Sequence, residues 1–130
     1  MKILIVEDDL TSRLLLREML KAYGPAQVAV NGKEAVAAVN AALDSGEPYN
    51  LICLDIMMPE MDGQQALKHI RSMESARGVL PADRAIIIMT TTLSDVKNVV
   101  TAISGLTNGY LVKPFNKAKL LELLRKFKLI

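Results

Sequence analysis

Short apolar runs alternate with helical patterns along the whole chain. The runs occupy residues 3–6, 27–30, 51–54, 85–89 and 110–112 and contain no charged residue. Three of them are apolar at nearly every position, which is typical of strands buried on both faces of a parallel sheet. A strand followed by a helix thus occurs five times with short connections. This pattern predicts a doubly wound (βα)5 fold of the α/β class, a five-stranded parallel sheet covered by helices on both faces.

Apolar residues recur at helical spacing between these runs. One stripe comprises Leu14, Leu15, Leu16, Met19 and Leu20, a second Val96, Val99, Val100 and Ile103, and a third Leu120, Leu121, Leu123, Leu124 and Phe127. Asn31 and Asp62 are each followed three residues later by Glu or Gln, as in a capping box, and Asn116 can cap the last helix. The glycine- and proline-containing segments 44–50 and 73–84 are predicted to be loops.

Composition is that of a globular protein. The 130 residues are 51% hydrophobic and 23% charged, which fits one domain over residues 1–130 and excludes disorder and disulfide scaffolds. The only cysteine, Cys53, lies in an apolar run and is interpreted as a buried residue of a reduced intracellular protein. No run approaches the ~18 residues of a membrane span, so we expect no membrane partner and a cytoplasmic location.

Charge and aromatic content argue against a nucleic-acid partner. The formal net charge is only +2, and aromatic residues make up 4% of the chain, too few for base-stacking platforms. Basic residues near the C-terminus alternate with leucines at helical spacing and are interpreted as a solvated helix face.

Polar side chains follow four of the five predicted strands. Glu7, Asp8 and Asp9 follow the first, Asp55 the third, three threonines the fourth, and Lys113 the fifth. Because ligands of such sheets bind at the carboxyl ends of the strands, these groups are predicted to share one pocket. Oxygen ligands with room for water suit Mg²⁺, and a carboxylate beside the ion can attack phosphorus. A lysine and a hydroxyl would compensate the charge of phosphoryl transfer.

Four motifs occur in a fixed order along the chain. They are ILIVEDD at 3–9, LDIMMPEMDG at 54–63, MTT at 89–91 and GYLVKPF at 109–115. Together they resemble the receiver domain of two-component response regulators, and the resemblance covers essentially all residues. It implies a flavodoxin-like strand order 2-1-3-4-5. It further implies a phosphorylation-activated signalling switch, with no enzymatic activity beyond its own phosphorylation and dephosphorylation.

The resemblance implies a role for each site residue. Asp55 would accept a phosphoryl group from a sensor histidine kinase or a histidine phosphotransfer protein. Asp8 and Asp55 would bind Mg²⁺ directly, with Glu7 acting through water and the Met57 carbonyl completing the site. Lys113 would pair with the phosphoryl oxygens, and its bond to Pro114 would be cis.

The switch residues follow from the same resemblance. Thr91 is assigned as the switch hydroxyl because it lies 22 residues before Lys113, with Thr90 as the alternative. Tyr110 would be the switch aromatic. An unidentified target protein would bind the face formed by the predicted fourth helix, fifth strand and fifth helix. Met57 and Leu93 occupy the positions that influence phosphate lifetime in this family, and neither can orient a water.

Other functions fit the residues less well. An aspartate-nucleophile phosphatase of the haloacid dehalogenase type needs a second acid two residues after Asp55, where this chain has Met57. A degenerate receiver that acts as a phosphorylation-independent binding module is disfavoured because every group of the pocket is present. Because the chain ends just past the fifth predicted helix, we expect no output domain.

Overall fold

The computed structural model describes residues 1–58, 60–92, 95 and 105–130. One parallel sheet contains β1 (Ile3–Val6), β2 (Ala26–Ala29), β3 (Leu51–Asp55), β4 (Ile86–Thr91) and β5 (Gly109–Val112). The helices of the described part are α1 (Leu10–Leu20), α2 (Gly32–Asp44), α3 (Gly63–Ala76) and α4 (Lys117–Lys126), with a short 3-10 helix at Pro81–Asp83. The strand order is β2-β1-β3-β4-β5, which confirms the predicted α/β fold and its 2-1-3-4-5 topology.

Side chains of the strands alternate between two apolar layers, as the pleat of a sheet requires. One layer packs against α2 and α3 and contains Leu4, Val6, Ile52, Leu54, Ile87 and Met89. The other packs against α1 and α4 and contains Ile3, Ile5, Leu51, Cys53, Ile88 and Leu111. Burial raises the pKa of the free Cys53 thiol to about 12. The interpretation of Cys53 as a core residue is therefore confirmed.

Three helix starts carry the predicted side-chain caps, in different forms. Asp62 and Gln65 form the complete reciprocal capping box of α3. Asn31 accepts a hydrogen bond from the backbone N–H of Glu34, but the Glu34 carboxylate accepts from Val30 rather than returning to Asn31. Asn116 caps α4 through the backbone N–H of Lys119.

Several boundaries differ from the sequence prediction. β4 continues through Thr90 and Thr91, because these β-branched residues extend the pairing with β3 and β5. α3 continues to Ala76, into a segment predicted as loop, since the buried Glu74 side chain anchors its last turn. The second predicted stripe, Val96 to Ile103, lies outside the described residues, so α4 here corresponds to the predicted fifth helix.

The leucine stripe of α1 is only partly buried. Leu16 and Leu20 are buried in the core, whereas Leu14 is 54% exposed and Leu15 is 41% exposed. The predicted apolar stripe thus has two exposed members, because a narrow helix face suffices to cover the sheet. None of the helices in the described ranges combines the length and apolar character needed to cross a bilayer.

Candidate functional site

The carboxyl ends of β1 and β3 bring three acids together. Glu7 and Asp8 directly follow β1, and Asp55 is the last residue of β3. Because β1 and β3 are neighbours in parallel register, one carboxylate oxygen from each of the three acids lies within 4.8 Å of the others. Glu7 and Asp55 are buried, whereas Asp8 is exposed to solvent.

Lys113 reaches this cluster from the end of β5. Its Nζ lies 3.0 Å from Glu7 Oε2 without hydrogen-bond geometry, and it donates hydrogen bonds to Glu7 Oε1 at 3.3 Å and Asp55 Oδ2 at 3.5 Å. The Lys113–Pro114 peptide bond is cis, as expected from the resemblance. The Lys113 ammonium group thus faces the carboxylates of Glu7 and Asp55.

The charges and the burial of the cluster shift two pKa values. Burial, followed by the hydrogen bond and charge of Glu7, raises the pKa of Asp55 to about 7, against the opposing effect of Lys113. Burial lowers the pKa of Lys113, but the hydrogen bond to Glu7 and the charges of Asp55 and Glu7 outweigh it and raise that pKa. The cluster therefore has an excess of negative charge that favours a proton or a further cation.

The loop after Asp55 is held close to the strand. Ile56 N–H donates to Thr90 O at 3.1 Å, and Gly63 N–H donates to Ile56 O at 2.9 Å. A Cβ atom at Gly63 would lie 2.1 Å from the Asp55 carbonyl oxygen, so only glycine permits this approach. Met57 N–H donates to Asp55 Oδ1 at 3.3 Å, and the Met57 side chain is 63% exposed. The loop thus orients the Asp55 carboxylate while Met57 faces solvent.

Asp9 has a different task from its two acidic neighbours. It is the N-cap of α1, and its Oδ2 accepts a hydrogen bond from Ser12 N–H at 2.9 Å. The backbone hydrogen bond of Ser12 is the largest cause that lowers the pKa of Asp9. The acid run after β1 therefore combines two members of the cluster with one structural cap.

The threonines of β4 differ in the side of the sheet that they face. Tyr110 pairs with Met89, and both pack on the layer covered by α2 and α3. Thr91, two residues beyond Met89, projects to that same side, whereas Thr90 pairs with Asp55 and projects to the other. Thr91 Oγ1 donates to Thr92 O at 3.3 Å. Within the described ranges, the buried hydroxyls of Thr90 and Tyr110 have no hydrogen-bond partner.

The donor set fits Mg²⁺. The cluster offers only oxygen atoms, one of its acids is open to solvent, and Glu7 Oε2 is buried without a hydrogen bond from any described residue. Mg²⁺ prefers oxygen ligands and retains several waters, which an exposed Asp8 permits. The divalent charge would also offset the repulsion among the three carboxylates.

Leu93, which the resemblance places at a position that influences phosphate lifetime, lies outside the described residues. An exposed apolar surface beside the cluster, not predicted from the sequence, is formed by Leu10 and Leu14 of α1, which are 57% and 54% exposed. α1 begins directly after Asp9, so these side chains lie on the helix that leads away from the site. The consecutive leucines of α1 indicate that some of them must be exposed, but only the packing of the helix shows which leucines are buried and which are exposed.

The sequence of this chain is similar to those of response regulators and of histidine kinases. The family model of the response regulator receiver domain matches residues 3–125. The chemotaxis protein CheY of Bacillus subtilis is 32% identical over 130 residues, covering 96% of this chain and 95% of that protein. The yeast (Saccharomyces cerevisiae) osmosensing histidine protein kinase SLN1 is 32% identical over 128 residues. That match covers 97% of this chain but only 10% of the kinase.

Solved structures of receiver domains are also similar to this chain. The receiver domain of a Pseudomonas aeruginosa sensor histidine kinase, with magnesium coordinated in its active-site cleft, is similar with a TM-score of 0.77 at 28% identity. This likeness covers 97% of this chain and 95% of that one. The receiver domain of yeast (Saccharomyces cerevisiae) Ssk1, in complex with the histidine phosphotransfer protein Ypd1, gives a TM-score of 0.80 at 26% identity over 98% of this chain and 88% of that one. By its family match, its strand order and its acidic cluster, the chain belongs to the response regulator receiver domain family.

Proposed function

We propose that this receiver domain is a phosphorylation-activated switch that accepts its phosphoryl group on Asp55. The observation that carries the proposal is the surroundings of Asp55: two further carboxylates within 4.8 Å and the Lys113 ammonium 3.5 Å from its Oδ2. The Asp55 carboxylate accepts hydrogen bonds from Lys113 Nζ and from Met57 N–H, and Asp55 is the acid that the resemblance assigns as the phosphoacceptor. Receiver domains are signalling switches rather than classical enzymes, and we assign this chain a catalytic part only in its own phosphorylation and dephosphorylation.

The transfer needs a donor with a phosphorylated histidine. A carboxylate oxygen of Asp55 forms a bond to phosphorus while the phosphorus–nitrogen bond of the donor breaks, and the imidazole nitrogen keeps the electron pair. Lys113 offsets the charge on the phosphoryl oxygens, and Met57 N–H helps to orient the carboxylate for attack. Mg²⁺, held by Asp8, Asp55 and the Met57 carbonyl with Glu7 acting through water, would supply further charge neutralisation.

The switch would use the side of the sheet that carries Thr91 and Tyr110. Diagonal neighbours on adjacent strands lie within reach of an aromatic side chain, so movement of Thr91 toward a phosphoryl oxygen would leave space for Tyr110. This is a population shift between two states, driven only by contacts that exist in the phosphorylated state. The target protein would bind a face formed by three elements. These are β5, then α4, which is the fifth helix of the sequence prediction, and the predicted fourth helix.

The donor would dock on the exposed leucines of α1. Leu10, Leu14 and Met57 are each more than half exposed, and Leu10 and Met57 follow the two acidic strand ends. Large exposed apolar side chains beside a site mark interaction surfaces. The similarity to the Ssk1 receiver, which binds the phosphotransfer protein Ypd1, supports a partner of this class. The cytoplasmic location predicted from the sequence stays a prediction.

Acetyl phosphate labelling tests the phosphorylation site. With Mg²⁺, intact-protein mass spectrometry should show one added phosphoryl group, absent from Asp55→Asn. Asp9→Asn is the matched control, because it removes a neighbouring acid but keeps an N-cap, and it should be labelled like the native protein. Undiminished labelling of Asp55→Asn would contradict the proposal, and failure to label the native protein would favour the phosphorylation-independent binding module.

The docking surface has a separate test. Leu10→Ser with Leu14→Ser should slow phosphoryl transfer from phosphorylated Ypd1 while leaving labelling by acetyl phosphate unchanged, because the small donor needs no docking surface. Equal transfer rates to the native and variant proteins would show that these leucines take no part in donor binding.

A further inference from the structure

A cavity of about 710 Å³ opens at the opposite edge of the sheet from the acidic cluster. It lies at the amino ends of β4 and β5, beside α3 and the short 3-10 helix. One wall is a polar face of α3 with Lys68, Arg71, Ser72 and Ser75, spaced at i, i+3, i+4 and i+7. The two serines are small enough to leave space there. The volume is within the range of small-molecule sites, roughly 300–1,000 Å³.

The positive charge of this cavity is only partly neutralised. Arg71 forms an ion pair with the buried Glu74 at 2.8 Å and also donates to carbonyl groups. Lys68 and Arg84, by contrast, have no carboxylate partner in the described part of the chain. The remaining residues contain no aspartate or glutamate. The cavity therefore presents two cations that an anionic ligand could pair.

Hydroxyl groups lie beside these cations. Arg84 donates through Nε to Val79 O and through Nη2 to Ser75 Oγ, each at 3.2 Å, which leaves its Nη1 protons available. Ser75 accepts that bond and keeps its own proton to donate, and Ser72 adds a second hydroxyl to the same wall. A guanidinium, an ammonium and hydroxyl donors together match the oxygens of a phosphate group.

The remaining lining includes apolar side chains and a well-anchored loop. Pro81, Ala82, Ile86 and Leu106 contribute apolar atoms to the lining, next to the polar Thr107 and Asn108. The loop before β5 is held in place because Arg71 donates to Leu106 O at 2.7 Å and to Asn108 Oδ1 at 3.0 Å. Asn108 Oδ1 also accepts from Ile87 N–H at 2.8 Å. A preformed wall of this kind lowers the ordering cost of binding.

We propose that this cavity binds a small phosphate monoester, with its phosphate between Lys68 and Arg84 and its organic part against the apolar lining. Two unpaired cations match the two negative charges of a phosphate monoester near neutral pH. The proposal goes beyond phosphorylation of Asp55, since no residue of the acidic cluster takes part.

A titration followed by amide NMR spectroscopy tests the proposal on the full chain. Adenosine monophosphate, inorganic phosphate and adenosine are added separately to the native protein in EDTA, which prevents phosphorylation of Asp55. The monophosphate should shift the amide signals of Ser72, Arg84 and the loop 106–108, inorganic phosphate should shift the same signals more weakly, and adenosine should not. Lys68→Gln should weaken binding of the monophosphate about tenfold, because one charge-assisted contact is lost.

Lys33→Gln is the matched control, since it removes another exposed helical lysine, on α2 and outside the cavity lining. Lys33→Gln should leave the dissociation constant of the monophosphate unchanged. Asp55→Asn should bind the monophosphate like the native protein, and this result does not depend on whether Asp55 is the phosphoacceptor. Three results would overturn the proposal: shifts confined to Asp8, Asp55 and Lys113, equal affinity of Lys68→Gln and Lys33→Gln, or binding of adenosine as tight as that of the monophosphate.

Discussion

The buried ion pair between Arg71 and Glu74 should make these residues strongly interdependent in folding stability. Their side chains are only 12% and 3% exposed, and Arg71 Nη1 lies 2.8 Å from Glu74 Oε1. Glu74 Oε2 also accepts from Ala85 N–H at 2.9 Å, and Arg71 donates to Ala85 O at 2.9 Å. The pair therefore connects α3 to the start of β4. Replacing either residue alone leaves the other charge buried without its partner.

The size of the effect follows from distance and burial. At an effective dielectric constant of about 20, two unit charges 2.8 Å apart attract by ~6 kcal/mol, of which desolvation offsets a large part. We expect Arg71→Met or Glu74→Met to lower the free energy of unfolding by roughly 3–5 kcal/mol each. The double variant should cost less than the sum of the two by about 2–3 kcal/mol.

A matched pair on the surface provides the control. Glu18 of α1 and Lys21, the C-cap of that helix, have the same i,i+3 spacing, and their charged atoms lie 3.2 Å apart; the side chains are 70% and 69% exposed. Their coupling energy should be below about 0.5 kcal/mol, because water screens the attraction. Urea unfolding of the native protein, the single variants and the double variants gives both coupling energies if the slopes agree. A coupling for Arg71 and Glu74 as small as that of the surface pair would refute the reasoning.

Three further predictions concern the acidic cluster. Mg²⁺ should raise the melting temperature of the native protein but not of Asp8→Asn, and an equal shift in both would contradict the assignment of Asp8 as a ligand. Because burial raises the pKa of Asp55 from 3.8 to about 7, the folded state binds the extra proton, and in EDTA the free energy of unfolding should fall as pH rises through that interval. Urea titrations of Asp55→Asn should show no such fall in the free energy of unfolding. The same pH dependence in the variant and the native protein would contradict the raised pKa of Asp55. The double change Met57→Asn with Leu93→Glu should speed decay of the aspartyl phosphate, followed by mass spectrometry, because both new side chains can position water. Equal decay rates would contradict this role.

The acidic cluster was predictable because parallel strands end at a common edge. Glu7, Asp8, Asp55 and Lys113 each follow an apolar run, so their convergence required only that β1, β3 and β5 lie in one sheet. The strand order itself came from the resemblance to a known family. Periodicity alone does not specify which of the five strands are neighbours.

Features that depend on packing were not predictable in the same way. The stripe on α1 contains consecutive leucines, and only contact with the sheet decides that Leu16 is buried and Leu14 exposed. The pairing of Arg71 and Glu74 with the backbone of Ala85 joins segments that sequence patterns describe separately. The different roles of Asp8 and Asp9 were also not predictable, because only the capping geometry shows that Asp9 is the N-cap of α1.

β5 is anchored at both of its ends by charged side chains from different layers of the fold. At the amino end, Arg71 of α3 binds Leu106 O and Asn108 Oδ1, directly before the strand. At the carboxyl end, Lys113 binds two buried acids, Glu7 directly after β1 and Asp55 at the end of β3. The strand has only the four residues Gly109–Val112 between these anchors, and it is hydrogen-bonded to β4 along its length. A signal from Asp55 to the face of β5 is therefore expected to travel by side-chain rearrangement at Tyr110, because displacement of the strand itself would break the contacts at one anchor or the other.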